Sequence, residues 1–480
     1  MKQIKEVLLD SSEKLQGHIN YEQYQNHIIT AIFYKYLSHR IEKENNKRLF
    51  KYNINFKEAF YNENIEYYGN NIKDESLKEL GYFIHPNNLY SQVISDDNLL
   101  ERLDSAINDL IFKDNSFNDV FDEVDFKNIN LTQEFVGVFE EVLKDIDQLS
   151  FNNKCYDEYN YLMKYFFKKS YTPTEVSTLL ANLTANNDKG NVNVYDAACG
   201  SASTLLEFND KYSNICYYGQ EINKTRYNLA RINMFMHSVS LDNFRIYNDD
   251  STTTNRKLPL MDMIVSHPPF LKKWEANDEL ITDERFCSFK KLPPKSRADY
   301  AFIESMIYYL KQDGLMAVVL PQGILFRSNA EKEIRKTFLE EKNYIDAVIG
   351  LPDKIFHKNI PTCILLLRKN RKKEDKVLFI DASQDYIKDT KLNVIKHDAI
   401  SKIVDTYKNK KIIDKYSYAA SIGEIKQNEY NLNIKRYINN YVEREKIDLK
   451  VAITHLKELD LNIEDLNKKQ DELIDVISKK

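Results

Sequence analysis

The run VNVYDAACGSAS, residues 192–203, decides the fold. Val192 to Asp196 is short, apolar and β-branched, which suits a strand. Small residues follow at once from Ala197 to Ala202, and a helical pattern starts near Ser203. In an open α/β sheet such a turn lies where ligands bind. Small side chains let backbone N–H groups come close, and the helix start favours an anionic group.

The same grammar repeats downstream. Ile215–Gln220, Phe244–Tyr247, Met261–Ser266, Leu315–Leu320, Ile345–Leu351, Thr362–Arg368 and Val377–Asp381 read as strands. Helical stretches separate most of them, notably Asn223–His237 and Ala298–Leu310. Strands apolar on both faces and alternating with helices predict a doubly wound, Rossmann-like α/β sheet. Upstream, apolar residues recur at helical spacing through Ile28, Ile32, Tyr36 and Leu37, then Phe135, Val138, Phe139 and Val142. After Asp381 the strand signals fade and charge rises. The last stretch carries interleaved heptads, Leu456, Ile463 and Ile477 on one register and Leu459, Leu466 and Leu473 on the other. Three regions follow: a helical 1–150, an α/β 151–383, and a helical, partner-binding 384–480.

Composition narrows the class. A chain of 480 residues with 42% hydrophobic and 29% charged residues builds a real core in more than one domain. The net charge of −5 excludes a uniformly basic nucleic-acid binder and leaves any such contact to a local patch. Five scattered cysteines without a CxxC point to reduced thiols in the cytoplasm rather than a disulfide framework or metal site. No apolar run approaches the length of a membrane span.

Chemistry gathers at the strand ends. Glu221, at the tip of the second strand, is placed to accept from ribose hydroxyls, as acids do in dinucleotide sites. Asp250, after the third, offers a carboxylate to an adenine amine. After the fourth comes His267-Pro268-Pro269-Phe270. Its prolines fix the backbone and remove two N–H donors. Carbonyl groups are thereby aimed at a ligand amine, and an aromatic ring is left for a base, which suits chemistry on a flipped nucleotide.

These segments resemble the modification subunits of type I restriction enzymes, in the N6-adenine DNA methylase group. Residues 171–180 (YTPTEVSTLL) are similar to the helix that closes over the cofactor in that family. Residues 196–201 (DAACGS) resemble its cofactor loop, and residues 219–223 (GQEIN) with Arg226 and 230–233 (ARIN) its ribose segment. Residues 298–302 (ADYAF), 318–326 (VVLPQGILF), 349–352 (IGLP) and 360–365 (IPTCIL) also fit in order. The resemblance implies S-adenosylmethionine as cofactor, held by Tyr171, Thr172, Asp196, Ala198, Gly200, Ser201, Glu221 and Asp250. It implies methyl transfer to adenine at His267–Phe270, with no metal. Its partners would be double-stranded DNA, a specificity subunit, a second modification subunit and a motor–nuclease subunit, with no membrane.

Two positions depart from the family pattern. Asparagine, aspartate or serine normally stands where this chain has His267, and glycine where it has Ala202. An imidazole can accept one hydrogen bond from an adenine amine but lacks an amide's paired donor and acceptor. A positive φ at Ala202 would be strained. A subunit that assembles with DNA but no longer methylates is the alternative these departures favour. Past the motif, Lys272, Lys273, Lys290, Lys291, Lys295 and Arg297 lie on a long connection with Trp274 and Phe286, predicting a loop that tracks a DNA backbone and supports the extruded base.

Overall fold

Nine strands join in one sheet: β1 (Val192–Asp196), β2 (Ile215–Gln220), β3 (Phe244–Tyr247), β4 (Met261–Ser266), β5 (Leu310–Pro321), β6 (Ile345–Gly350), β7 (Thr362–Leu367), β8 (Val377–Asp381) and β9 (Ser417–Ala420). This computed structural model describes residues 4–61, 66–129, 131–149, 151, 165–166, 171–186, 190–289, 291–357, 359–389, 392–439 and 449–478.

The strand order is β9-β8-β6-β7-β5-β4-β1-β2-β3. From β1 the chain steps outward to β2 and β3, returns to β4 on the other side of β1, and continues to β5, all in parallel pairs. The gap between β1 and β4 is therefore the point where the winding reverses, and ligands bind beyond the carboxyl ends of strands there. β7 runs antiparallel between β5 and β6, and β9 antiparallel on the β8 edge.

Alternation along the central strands feeds two cores. Val194, Met263 and Ala317 face one side, while Tyr195, Ile264 and Val318 face the other. Helices Thr174–Thr184 and Lys224–Met236 bring apolar residues to the first core, and helix Asp299–Tyr309 to the second. The helical N-terminal region joins the first core through Phe33 and Phe117, whose rings lie 6.0 and 5.6 Å from Phe235. Asp119 accepts from Arg231 at 2.6 Å and Lys224 at 2.7 Å, tying the two regions electrostatically.

Most predicted strands match within a residue, but two expectations need correction. β5 begins at Leu310, because the polar stretch Lys311 to Asp313 masks a strand whose first residue pairs with Met261. Strands do not stop at Asp381. β9 forms from Ser417, Tyr418, Ala419 and Ala420, and Tyr386–Lys388 pairs with Asn393–Ile395 as a hairpin. The N-terminal region also carries a short antiparallel pair, Tyr82–Phe83 with Ile111–Phe112.

Residues 1–438 form one unit and 439–480 a second. The second contains one 30-residue helix, Leu449–Ser478, in which Leu456, Leu459, Ile463 and Leu466 are solvent-exposed. Among the described residues, no helix is long and apolar enough to cross a membrane.

Candidate active site at the reversal of the sheet

Asp196 ends β1 with its carboxyl buried. Oδ1 accepts from Ser266 Oγ at 2.6 Å and from the backbone N of Ala198 at 2.9 Å, so the ends of β1 and β4 are clamped together. Burial pushes this carboxyl up to about 7, Glu221 adds to the rise, and the two hydrogen bonds oppose it. Behind it, Gly200 (φ +56) and Ala202 (φ +62) both occupy the left-handed region. A side chain at Gly200 would point into open space, so glycine leaves that room to the cavity. Gly219, at the end of β2, is required for a different reason: a Cβ there would lie 2.8 Å from Cys199 Sγ. The loop is further held by Cys199 N donating to the Gln220 carbonyl at 3.0 Å and Asn233 Nδ2 donating to the Ser201 carbonyl at 2.6 Å.

Glu221 follows β2, largely buried, with Oε1 accepting from Asn223 N at 2.8 Å. After β3, Asp250 takes the backbone N and hydroxyl of Thr252 on Oδ1, at 2.9 and 2.6 Å. Its Oδ2 takes Lys272 Nζ at 2.9 Å. Burial raises the Asp250 carboxyl, but the Thr252 and Lys272 bonds outweigh it and hold it below the ordinary range.

Beyond β4, Nδ1 of His267 lies 3.0 Å from Thr172 Oγ1, ahead of helix Thr174–Thr184. The imidazole centroid is 4.9 Å from the Phe270 ring and 4.5 Å from Phe356, and the two phenyl rings meet edge-on at 5.7 Å. Tyr171, Thr172, Asp196, Ala198, Gly200, Ser201, Glu221, Asp250 and His267–Phe270 all line one cavity of about 680 Å³. That volume is in the range of small-molecule sites.

The basic cluster does not stay together. Lys272 lines the cavity and pairs with Asp250. Lys273, Lys291 and Lys295 are exposed and Arg297 is half-buried, while Lys290 lies outside the described residues. Trp274 and Phe286 are buried core residues, not supports for an extruded base. Their rings are 5.7 Å apart, and Trp274 Nε1 donates to the Pro294 carbonyl at 3.1 Å. The connection folds into a packed segment because it holds enough apolar residues to form one.

Several site residues escaped the sequence reading. Phe356 and His357 arrive from the loop between β6 and β7, and Asp389, Asn393 and Val394 from the hairpin after β8. No local spacing marks them. Arg285 is wholly buried. It donates to both Asp283 oxygens and to the carbonyls of Ser251, Thr253 and Thr254, fixing the segment after Asp250. An arginine beside DxR spacing in a polar loop was the one available hint.

Fold and cavity together define a methyltransferase of the Rossmann-like class. The chain belongs to the N-6 DNA methylase family and, within it, groups with the methylase subunits of type I restriction enzymes: the N-6 DNA Methylase model matches residues 152–446 and the HsdM N-terminal domain model residues 4–146. It is similar to the type I restriction enzyme MpnII methylase subunit of Mycoplasma pneumoniae, 30% identical over 98% of this chain and 95% of that protein. The MjaVII methylase subunit of Methanocaldococcus jannaschii is 32% identical over 73% of this chain, a match spanning 62% of that protein. The crystal structure of the type I restriction-modification methyltransferase subunit from Streptococcus thermophilus superposes with a TM-score of 0.83 at 32% identity, covering 91% of this chain and 99% of that one.

Proposed function

We propose that this chain transfers the methyl group of S-adenosylmethionine to the N6 atom of an adenine flipped out of double-stranded DNA. It would act as the modification subunit of a complex containing a specificity subunit, a second modification subunit and, for restriction, a motor–nuclease subunit. One observation carries the reading: a single cavity joins the acids at three strand ends to the His267–Phe270 segment.

The residues suit an adenosyl cofactor. The open space at Gly200 admits a ligand against the backbone, Glu221 retains Oε2 for ribose hydroxyls, and Asp196 sets a buried acid opposite a cationic amino group. Bound there, S-adenosylmethionine supplies an electrophilic methyl on a sulfonium. The protein's part is positioning and electrostatics. His267 serves as acceptor for the adenine amine when its proton sits on Nδ1, facing Thr172 Oγ1, because Nε2 then keeps its lone pair. The Pro268 carbonyl offers a second acceptor, and Phe270 with Phe356 walls the base. Lys273, Lys291 and Lys295 remain for DNA phosphates.

The test is radiolabelled methyl transfer by the chain co-expressed with its specificity subunit, on DNA lacking prior methylation. Label recovered as N6-methyladenine, and lost in Phe270→Ala, supports the reading. DNA binding without incorporation would overturn it.

A further inference from the structure

Lys272 sits where a DNA-contacting lysine would not. Leu271, between it and Phe270, adopts φ +63 with its side chain exposed. A left-handed residue is unfavourable for leucine, and it turns the chain sharply. The consequence is that Phe270 and Lys272 both face the cavity while Leu271 faces solvent. Lys272 Nζ reaches Asp250 Oδ2 at 2.9 Å and lies 5.8 Å from the Phe302 ring centroid. Its carbonyl accepts from the backbone N of Ala298, the residue that precedes helix Asp299–Tyr309, at 2.9 Å. One residue thus ties the end of β3 to the segment that carries Phe270.

We propose that Lys272 is a positioning residue for methyl transfer: it orients the Asp250 carboxylate toward the adenosyl end of the cavity and couples occupancy of that end to the placement of His267–Phe270. This inference rests on the cofactor reading above. Oδ1 of Asp250 is already engaged twice by Thr252, so Oδ2 is the oxygen left for a ligand amine. A carboxylate oxygen accepts two hydrogen bonds, so Lys272 can hold Oδ2 and still leave one lone pair for the ligand. Removing the ammonium leaves that half-buried oxygen without a fixed direction. It also removes one of the side-chain anchors of the segment that carries Phe270, leaving those of His267 on Thr172 and of the Phe270 ring. A lysine that served DNA instead would act on phosphates, independently of Asp250 and with a salt-dependent signature.

The experiment uses the chain assembled with its specificity subunit. S-adenosylhomocysteine affinity, single-turnover methyl transfer at saturating cofactor, and DNA affinity against salt are measured for wild type, Lys272→Met, Lys272→Arg, Asp250→Asn and the Lys272→Met/Asp250→Asn double variant. Lys272→Met is expected to weaken S-adenosylhomocysteine binding about tenfold and to slow single-turnover transfer, with most of both recovered in Lys272→Arg. In the Asp250→Asn background the methionine change is expected to cost less than about twofold more, as residues acting through one contact are non-additive. DNA affinity and its salt slope are expected to stay at wild-type values. Lys272→Gln replaces the methionine variant if that one fails to fold. Additive losses with S-adenosylhomocysteine still bound by wild type would overturn this inference alone, as would a reduced salt slope. Failure of wild type to bind S-adenosylhomocysteine would overturn the cofactor reading and this inference with it.

Discussion

Nδ1 of His267 and Oγ1 of Thr172 are 3.0 Å apart, joining the end of β4 to the segment that leads into helix Thr174–Thr184. The contact couples the tautomer of the imidazole to Thr172. In the tautomer in which Nδ1–H donates to Thr172 Oγ1, Nε2 carries the acceptor lone pair that the proposed reaction uses. Thr172→Val is therefore expected to lower the rate of methyl transfer at saturating cofactor by about tenfold, the scale of one lost orienting hydrogen bond. His267→Ala should cost about 10²-fold, as loss of a polar partner at a reacting centre does. S-adenosylhomocysteine affinity should change little in the histidine variant. Equal losses in binding and in turnover would assign His267 to the cofactor rather than to adenine.

Ala202 combines φ +62 with complete burial at the start of helix Ser203–Leu206. An L-residue in that basin gives up about 1–2 kcal/mol, while glycine loses about 0.5–1 kcal/mol more in conformational entropy on folding than alanine does. The difference favours glycine here. Ala202→Gly is expected to raise the thermal unfolding midpoint of the ligand-free chain and to tighten S-adenosylhomocysteine binding modestly, since the same turn carries Gly200 and Ser201. A lower midpoint in that variant would mean that the alanine methyl contributes more by packing than its backbone costs.

Much of this site was legible because of where topology places strand ends. β1, β2 and β4 are mostly buried, so apolar residues dominate them despite Asn193 and Asp262, and the polar residues at and just beyond their carboxyl ends mark the ligand side. Asp196, Glu221 and His267 follow from that alone. Lys272 was legible as a cation but not by destination, because its direction depends on the left-handed turn at Leu271, a conformation leucine rarely signals. Phe356 was hidden for another reason. It reaches His267 only because β7 inserts antiparallel between β5 and β6, a pairing no local pattern encodes. Trp274 and Phe286 were misread since a long polar connection gives no periodicity, yet its few aromatic residues found one another.

Asp196 gives the site a pH dependence. Burial lifts its carboxyl to about 7, so the ligand-free fold holds a proton that the unfolded chain has lost well below that pH. Its stabilising contribution is complete below the unfolded value near 4 and is lost as pH rises through about 7. Binding runs the other way. A cationic amino group beside Asp196 prefers the carboxylate, so affinity should fall by up to about tenfold per unit as pH drops below about 7. Calorimetry at about pH 6.5 in buffers of different ionisation enthalpy should detect proton release on S-adenosylmethionine binding, and Asp196→Asn should bind more weakly with no such release. Proton uptake, or the same release from the asparagine variant, would place the cationic group elsewhere.

Glu304 presents a buried acid that the reaction does not use. It lies on helix Asp299–Tyr309 with no exposed surface, and neither carboxyl oxygen has a hydrogen-bond partner among the described residues. Burial alone pushes this carboxyl far above its ordinary value, so it is folded in its neutral form. The unfolded chain ionises near the ordinary value of 4.5. The fold therefore binds one more proton than the unfolded chain above that pH, and stability falls as pH rises, by up to about 1.4 kcal/mol per unit for one proton. Glu304→Gln keeps the shape and removes the ionisation. Its unfolding midpoint in urea should exceed wild type by a margin that grows between about pH 5 and 8. Asp196 contributes a slope of the same sign, but it is common to both proteins and cancels in the difference. A margin independent of pH would mean that the Glu304 carboxyl stays ionised in the fold, and that an interior partner compensates its charge.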